Sequence, residues 1–249
     1  MKRRDLLVFG GIIAGIASVQ AVIRRWPASF EFSDIKGLPD FRVLELGAAS
    51  LVADPLFVGL ERPSDEARAL QDQVRAAPCP AVFGPPTWST DKIPLTVFSD
   101  YYCPNCPALS RTVRTLEREG APIHVRWTDL PILGPRSEDA ARLALAAQQQ
   151  DAHGAAHDFL MSRPVPPGPV GARIVAEALG LDSTRLAADA HGPKTQEQLD
   201  QANAIAAVFG IFGTPATLVG RTLVIGRIEK RDLNRLIRLE IEEGAFGCS

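Results

Sequence analysis

Two cysteines three positions apart, Cys103 and Cys106, are the clearest chemical feature of this sequence. They follow a strand-like apolar run over residues 93–98 and open a stretch with helical character. Because cysteines at this spacing lie on one face at the start of a helix, their sulfurs can close a disulfide or stand as two thiols. The free N–H groups and partial positive charge of a helix N-terminus stabilise a thiolate at Cys103. The pattern therefore predicts redox chemistry.

Two other interpretations of the cysteine pair remain open, a zinc knuckle and a disulfide with a purely structural role. A structural zinc site usually has four ligands, often from a second cysteine pair or a close histidine pair. The other two cysteines, Cys79 and Cys248, are far apart in the sequence. His153 and His157 have a helical i,i+4 spacing and could bind a metal such as copper. Two exposed surface histidines are the favoured interpretation, and we expect no metal site.

A second pattern lies far downstream of the cysteine pair. Residues 213–216, with the sequence Gly-Thr-Pro-Ala, precede a short apolar run, and another apolar run follows Gly220 and Arg221. Two such runs separated by two turn residues are typical of a β-hairpin. Pro215 would stand at the head of the first strand, where the preceding peptide bond is a candidate for the cis form.

In this order and spacing, the two patterns resemble those of DsbA-like thiol:disulfide oxidoreductases, which belong to the thioredoxin superfamily. The resemblance rests on residues 97–106, 130–134 and 213–216, and it spans roughly residues 91–242. It implies an α/β thioredoxin fold with a helical subdomain inserted at about residues 134–194. The resemblance is specific for the superfamily and less specific for the direction of electron flow.

The resemblance also implies roles for the four residues of the cysteine motif. Cys103 is expected to be the nucleophile that forms a mixed disulfide, and Cys106 is expected to resolve that intermediate. Pro104 and Asn105 lie between them and tune the site, with Pro104 predicted at the first position of the helix. The oxidants of the family carry a histidine where Asn105 stands, so the uncharged Asn105 predicts a weaker oxidant.

Further positions take their expected roles from the same resemblance. Thr214 and Pro215 are expected to form a cis-proline loop that faces the nucleophilic sulfur and pairs with an extended substrate segment. Many superfamily members bury an acid six residues before the first cysteine, where this chain has Val97. Asp100 is the expected replacement as a proton acceptor, and a cap on the strand end is its alternative role. Asp129 is a weaker candidate for the proton acceptor.

The N-terminus has the features of a targeting segment. It begins with basic residues, and residues 6–23 form an uncharged run of 18 residues. This length lies between those of a signal peptide's apolar region and a membrane-spanning helix. We expect residues 1–25 to be a signal peptide or a membrane anchor, with a twin-arginine signal as a further alternative. The expected location is the bacterial periplasm, with the protein either soluble after cleavage or anchored to the inner membrane by residues 6–23.

The expected export changes the interpretation of Cys79 and Cys248. An even number of cysteines in an exported protein favours pairing. We expect a structural disulfide between Cys79 and Cys248 that ties the N-terminal extension to the C-terminal tail, and two free thiols are the alternative. The cross-link would close a loop of roughly 170 residues, which the chain-entropy model values at about 3–5 kcal/mol.

The remaining organisation follows from composition and local patterns. The chain has 249 residues, a net charge of -2 and 46% hydrophobic residues. These values support a sizeable core and argue against a nucleic-acid partner. We expect an N-terminal extension over residues 26–90, with one helix at 64–76, and the catalytic domain over 91–249. Ser137 is predicted to cap one helix, and Thr195 to begin another through a capping box.

The resemblance, taken with the expected export, implies an exported enzyme that introduces disulfides into cysteine-containing protein substrates and works with a membrane redox partner. No cofactor is expected. The same chemistry run in reverse is the first alternative, as a reductase or isomerase kept reduced by a membrane partner. The second is a thioredoxin-fold chaperone or copper-binding module that uses Cys103 and Cys106 as thiolate ligands.

Overall fold

The structure, a computed structural model, describes residues 30–45, 63–85, 91–244 and 248 of the chain. The predicted signal peptide or anchor at residues 1–25 lies outside the described residues. The protein divides into two compact units, Met1–Glu31 and Phe32–Ser249. Every described helix and strand belongs to the second unit. None of the described helices is long and apolar enough to cross a membrane.

Within the described residues, the chain forms six strands and nine helices. The strands are β1 (Phe32–Ile35), β2 (Leu38–Leu44), β3 (Ile93–Ser99), β4 (Ile123–Asp129), β5 (Ala216–Val219) and β6 (Thr222–Ile225). The helices are α1 (Asp65–Ala76), α2 (Pro78–Phe83), α3 (Cys106–Arg118), α4 (Pro135–Gln148), α5 (His153–Ser162), α6 (Pro169–Leu179), α7 (Ser183–Ala190), α8 (Pro193–Phe209) and α9 (Lys230–Glu243).

The six strands join one mixed sheet in the order β1-β2-β6-β5-β3-β4. Strands β3 and β4 are parallel along their whole length, up to Ser99 opposite Asp129, and α3 connects them. Parallel neighbours need a crossover of this kind. Strands β5 and β6 form the predicted antiparallel hairpin, which turns at Gly220 and Arg221, and β5 pairs with β3.

Helices cover both faces of the sheet. On one face, α8 packs with α1 and α2 over an apolar core that includes Phe98 and Leu218. On the other face, α9 contacts α3, β3 and β5. Helices α4 to α7 form the helical insertion, whose separate core also contains Tyr101, Cys103 and Cys106. The two cysteines therefore lie where the sheet meets the insertion.

The described residues that precede β3 extend the same sheet and its helical cover. Strand β2 pairs in parallel with β6, with Arg42 opposite Thr222, and β1 adds an antiparallel strand at the edge. The Ser64 hydroxyl caps α1 by accepting a hydrogen bond from the Ala67 N–H, which confirms the helix predicted here. This part of the chain is thus packed onto β6 and α8.

Cys79 and Cys248 are joined by a disulfide, with their Cα atoms 5.2 Å apart. Cys79 lies in α2, and Cys248 follows α9 near the end of the chain. Both residues pack against the apolar core beneath α8. The bond therefore ties the segment before β3 to the C-terminal residues and restricts the unfolded chain over a separation of 169 residues.

Two helix starts differ from the sequence prediction. Helix α4 begins at Pro135 rather than after a Ser137 cap, and α8 begins at Pro193 rather than at Thr195. Proline suits the first helical position because its φ is already helical and its missing N–H would have no partner there. Ser137 is instead buried inside α4, and the Thr195 hydroxyl donates to the Asp189 carbonyl oxygen at 2.7 Å.

Candidate active site

The turn between β3 and α3 carries the cysteine motif. The Cys103 N–H donates to the Asp100 carbonyl oxygen at 3.1 Å, and the Cys106 N–H donates to the Cys103 carbonyl oxygen at 3.3 Å. Because the chain completes these two tight turns first, α3 begins at Cys106, and the prediction that Pro104 opens the helix is wrong. Pro104 and Asn105 are exposed at the tip of the turn, and Cys103 lies just ahead of the helix N-terminus.

Both cysteines of the turn are reduced and buried, with Cys103 3% exposed and Cys106 0% exposed. The Cys103 thiol donates to the Thr214 carbonyl oxygen at 3.2 Å. The peptide bond between Thr214 and Pro215 is cis. Pro215 immediately precedes β5, which pairs with β3, so the sheet brings the proline loop beside the cysteine turn.

Hydrogen bonds favour the thiolate form of Cys103. The hydrogen bond from the Cys106 thiol lowers the pKa of Cys103 most, and burial of the sulfur raises it. Further hydrogen bonds from Thr214 and from the N–H groups of Asn105 and Cys106 also lower it. The net result is a pKa of about 6 for Cys103. Burial, reinforced by the neighbouring Cys103, raises the pKa of Cys106 far above its ordinary value. At neutral pH the reduced pair therefore holds a thiolate at Cys103 and a thiol at Cys106.

The ionisation of Cys103 gives a direct prediction. We expect its alkylation by iodoacetamide to rise with pH around a midpoint of about 6, since the thiolate is the reactive form. Replacing Cys106 with alanine removes the largest contribution that lowers this pKa, so the midpoint should move up by about one unit or more, towards the ~8.5 of a free cysteine. Rapid-quench alkylation and the ultraviolet absorbance of the thiolate measure both midpoints.

The matched control for this prediction is Cys106→Ser, which keeps a hydroxyl donor in nearly the same place. Its midpoint should lie between those of the wild type and Cys106→Ala. A wild-type midpoint near the value of a free cysteine would contradict the stabilised thiolate. Equal midpoints in the wild type and Cys106→Ala would contradict the hydrogen bond from Cys106.

Asp100 caps the cysteine turn. One of its carboxylate oxygens accepts from the Tyr102 N–H at 2.8 Å, and the other accepts from the Leu133 N–H at 3.0 Å. The side chain is buried, and both oxygens are engaged by backbone donors. Of the two roles expected for Asp100, the geometry favours the cap, which ties the cysteine turn to the loop over residues 130–134.

Tyr101, His153 and His157 lie beside the turn and were not predicted as part of the site; they surround Asp129, the weaker candidate for the proton acceptor. The Tyr101 hydroxyl donates to Asp129 at 2.6 Å, and His153 Nε2 lies 2.8 Å from the other oxygen of Asp129. His157 lies against Tyr101 and is fully buried, so the expectation of two exposed histidines is wrong. The available sequence signal was that the chain has two tyrosines, Tyr101 and Tyr102, and both directly precede the first cysteine.

The charges of this group balance one another. Burial alone would raise the pKa of Asp129, but His153 overcomes it and holds that pKa below its ordinary value. Burial alone would lower the pKa of His153, but Asp129 raises it instead. Burial lowers the pKa of His157 to about 4. Where the structure describes the chain, no group of three or more His, Cys, Asp or Glu side chains is arranged to hold a metal ion.

Comparison with known proteins assigns the fold and family. A family model described as the DSBA-like thioredoxin domain matches residues 94–238. No curated protein matches the chain. The crystal structure of a thioredoxin-like oxidoreductase from Silicibacter pomeroyi is 29% identical with a TM-score of 0.60, and the match covers 67% of this chain and 98% of that one.

Two further solved structures share the fold at lower identity. The thiol-disulfide exchange protein alpha-DsbA2 from Wolbachia pipientis is 19% identical with a TM-score of 0.58, and the match covers 72% of this chain and 99% of that one. A periplasmic thioredoxin-like protein from Salmonella enterica serovar Typhimurium is 22% identical with a TM-score of 0.57, and the match covers 73% and 99% of the two chains.

Proposed function

We propose that this chain, which belongs to the family of DSBA-like thioredoxin domains, introduces disulfides into cysteine-containing protein substrates. The chain is a thiol:disulfide oxidoreductase. We propose the direction of its reaction, the roles of the residues in its active site and its location in the cell. The observation that carries it is the unequal cysteine pair. Cys103 is stabilised as a thiolate, chiefly by the Cys106 thiol and the N–H groups of the turn, while Cys106 is buried behind it as a thiol.

The proposed reaction starts from the disulfide between Cys103 and Cys106. A substrate thiolate attacks the Cys103 sulfur, the bond between the two enzyme sulfurs breaks, and Cys106 leaves and takes up a proton. The second substrate cysteine then attacks the sulfur of the first substrate cysteine in the mixed disulfide, and Cys103 leaves as a thiolate. Two electrons pass from the substrate dithiol to the enzyme pair. The low pKa of Cys103 favours the last step, because a lower pKa makes a better leaving group.

The backbone beside the cysteines is suited to an extended substrate. In the proposal, the cis-proline loop at Thr214 and Pro215 pairs with the substrate main chain by strand addition. Ile132 and Leu133 are 40% and 53% exposed on the loop that Asp100 ties to the cysteine turn. These side chains offer apolar contacts to an unfolded substrate.

The periplasm and a membrane redox partner complete the proposal. A disulfide such as that between Cys79 and Cys248 persists in an oxidising compartment. The basic start of the chain and the uncharged run at residues 6–23 support export, as a cleaved signal or an inner-membrane anchor. Each turnover leaves the Cys103 and Cys106 pair reduced, so an oxidant must accept the two electrons for the cycle to continue. In the proposal, a membrane redox partner has this role.

A specific observation supports the reverse direction as the second candidate. The pKa of Cys103, about 6, is nearer to the value of roughly 7 known for thioredoxin, a reductant, than to the roughly 3.5 of the strongly oxidising DsbA. The uncharged Asn105 beside the thiolate is consistent with this intermediate value. In the reverse reaction, the Cys103 thiolate attacks a substrate disulfide and Cys106 resolves the mixed disulfide.

The equilibrium reduction potential of the Cys103 and Cys106 pair tests the direction. For the full chain titrated with glutathione buffers, we expect a value between about -120 mV, as for DsbA, and about -180 mV, as for protein disulfide isomerase. A more negative value, towards the roughly -270 mV of thioredoxin, would overturn the oxidase and favour the second candidate. Mass spectrometry of trapped thiols confirms which cysteines titrate, and Cys79→Ser/Cys248→Ser is the control that removes the other disulfide.

A further inference from the structure

A continuous chain of hydrogen bonds runs behind the cysteine turn. The Tyr101 hydroxyl lies 2.6 Å from an Asp129 carboxylate oxygen and 3.3 Å from His157 Nδ1. His157 Nε2 lies 2.9 Å from the Ser110 hydroxyl. His153 holds the other Asp129 oxygen at 2.8 Å. The chain thus joins α3, the cysteine turn, the end of β4 and helix α5 of the insertion.

The Asp129 carboxylate fixes the direction of each bond in this chain. An ionised carboxylate only accepts hydrogen bonds, so Tyr101 donates its proton to Asp129. The Tyr101 oxygen then accepts from the Nδ1–H group of His157, which leaves Nε2 to accept from the Ser110 hydroxyl. Burial, which lowers the pKa of His157 to about 4, keeps the ring neutral at pH 7, as this arrangement requires.

The four members of the chain are buried, so water does not replace a lost bond. Tyr101, Asp129, His157 and Ser110 are all at most 6% exposed. Removing one hydroxyl leaves its partner in the interior without a hydrogen bond, which is the costly case for a buried polar group. This chain of hydrogen bonds therefore stays intact only when the turn, α3 and α5 keep their present relative positions.

The position of this chain relative to the cysteines suggests its role. Tyr101 precedes Cys103 by two residues, and Ser110 follows Cys106 by one helical turn. Every group that stabilises the thiolate lies in the same turn, apart from Thr214. A distortion of the turn would change the distances from these donors to the Cys103 sulfur, and a shift of the whole turn would change the distance from Cys103 to Thr214.

We propose that Tyr101, Asp129, His157 and Ser110 are positioning residues that hold the turn between Cys103 and Cys106 from both sides and fix it to helix α5 of the insertion. The inference rests on the proposed role of Cys103 as the nucleophile. Under this proposal, the helical insertion influences the reactivity of Cys103, although Cys103 lies outside the insertion.

Two neighbouring tyrosines provide the test. Tyr101→Phe breaks the chain and leaves the Asp129 oxygen and the His157 Nδ1–H group unpaired. Tyr102→Phe removes the neighbouring hydroxyl, which donates to the Val165 carbonyl oxygen at 3.1 Å and also reaches the insertion, but lies outside the chain. Both variants lose one oxygen atom from adjacent positions of the same turn.

The readout is the pH dependence of Cys103 alkylation in the reduced full-length protein. We expect Tyr101→Phe to raise the midpoint by about one unit, which lowers the thiolate fraction at pH 6 from about one half to about one tenth. The rate at that pH should fall about fivefold and that at pH 9 should be unchanged. Tyr102→Phe should keep the wild-type midpoint.

An unchanged midpoint in Tyr101→Phe, or an equal shift in Tyr102→Phe, would overturn the inference. A lowered melting temperature without a shifted midpoint would indicate packing alone, and it also counts against positioning. A wild-type midpoint near that of a free cysteine would instead overturn the nucleophile assignment and hence the proposed function, so the two failures are distinguishable.

A second pair of variants decides the question if Tyr101→Phe does not fold. Ser110→Ala removes the far end of the chain with a small change in volume, and it should shift the midpoint in the same direction. Thr112→Ala on the same helix is its control, because the Thr112 hydroxyl donates only to the Ala108 carbonyl oxygen of its own helix. Equal midpoints in these two variants would overturn the positioning role of Ser110 and of the chain.

Discussion

Replacing Cys103 with serine should abolish disulfide exchange, with a loss of rate on the order of 10³-fold or more. The sulfur at this position forms the mixed disulfide in either direction of the reaction, and a hydroxyl cannot form that bond. The other candidate, Cys106, is fully buried, and burial raises its pKa far above the ordinary value, so it cannot replace Cys103 as the thiolate. Reduction of insulin by dithiothreitol and oxidative refolding of a reduced cysteine-containing protein measure the loss.

Cys106→Ser is the informative companion of this variant. It keeps the nucleophile and removes the group that resolves the intermediate, so mixed disulfides between Cys103 and substrates should accumulate on non-reducing gels. Cys103→Ser should accumulate none. A Cys103→Ser protein that retains exchange, or traps substrate through Cys106, would contradict the assignment of the nucleophile. The double variant Cys79→Ser/Cys248→Ser should keep its exchange activity and serves as the control for loss of any cysteine.

The parts of the site that the sequence predicts are those encoded by short local patterns. Cys103 and Cys106 are separated by two residues, and the hairpin after Pro215 is recognisable from its two apolar runs and turn. Their approach to one another follows from strand order, because β5 pairs with β3. The resemblance to a known family implied that the proline loop faces the nucleophilic sulfur, which spacing alone does not show.

The buried polar group behind the turn depends on contacts that no local pattern encodes. Tyr101 and Asp129 are 28 residues apart, and Tyr101 and His157 are 56 residues apart. The i,i+4 spacing of His153 and His157 shows that they share a helix face, but not that this face points inward. That outcome depends on how the insertion packs against β4 and α3, which is a property of the whole fold.

The start of α3 was mispredicted for a related reason. A proline often opens a helix, and Pro104 satisfies that rule. The carboxylate of Asp100 instead stabilises a turn by accepting from the Tyr102 N–H and from the N–H of Leu133, which is 33 residues away. With the turn held in this way by Asp100 and the distant Leu133, the helix begins at Cys106 rather than at Pro104.

The second prediction with a large expected effect concerns stability, at the end of the sheet away from the cysteines. Glu240 on α9 is 2% exposed, and its carboxylate accepts from the Arg42 guanidinium at 2.7 Å and from the Thr222 hydroxyl at 2.5 Å. It also accepts from the Arg221 N–H at 3.0 Å. One buried carboxylate thus joins α9 to β2, to β6 and to the turn before β6.

Glu240→Ala should lower the free energy of unfolding by roughly 3–5 kcal/mol. It removes the buried partner of the Arg42 guanidinium, which keeps only the more exposed Glu243, and it leaves the Thr222 hydroxyl and the Arg221 N–H without their acceptor. Glu243→Ala is the matched control, since Glu243 also pairs with Arg42, at 2.8 Å, but is 31% exposed. Its loss should be about 1 kcal/mol or less, as for other exposed ion pairs. Urea unfolding of the oxidised proteins at pH 7 measures both values.

The Glu240 variant should leave the chemistry of Cys103 unchanged. Strand β5 begins beside Pro215, next to the cysteine turn, and ends at Val219, before the turn that Glu240 stabilises. The alkylation midpoint of Cys103 should therefore stay at about 6. Hydrogen exchange over residues 38–44 should become faster, because the link between β2 and α9 is weakened to the Arg42–Glu243 pair. Equal destabilisation by Glu240→Ala and Glu243→Ala would show that burial does not set the strength of this link. A shifted midpoint would show instead that the N-terminal strands and the cysteine turn are coupled through the sheet.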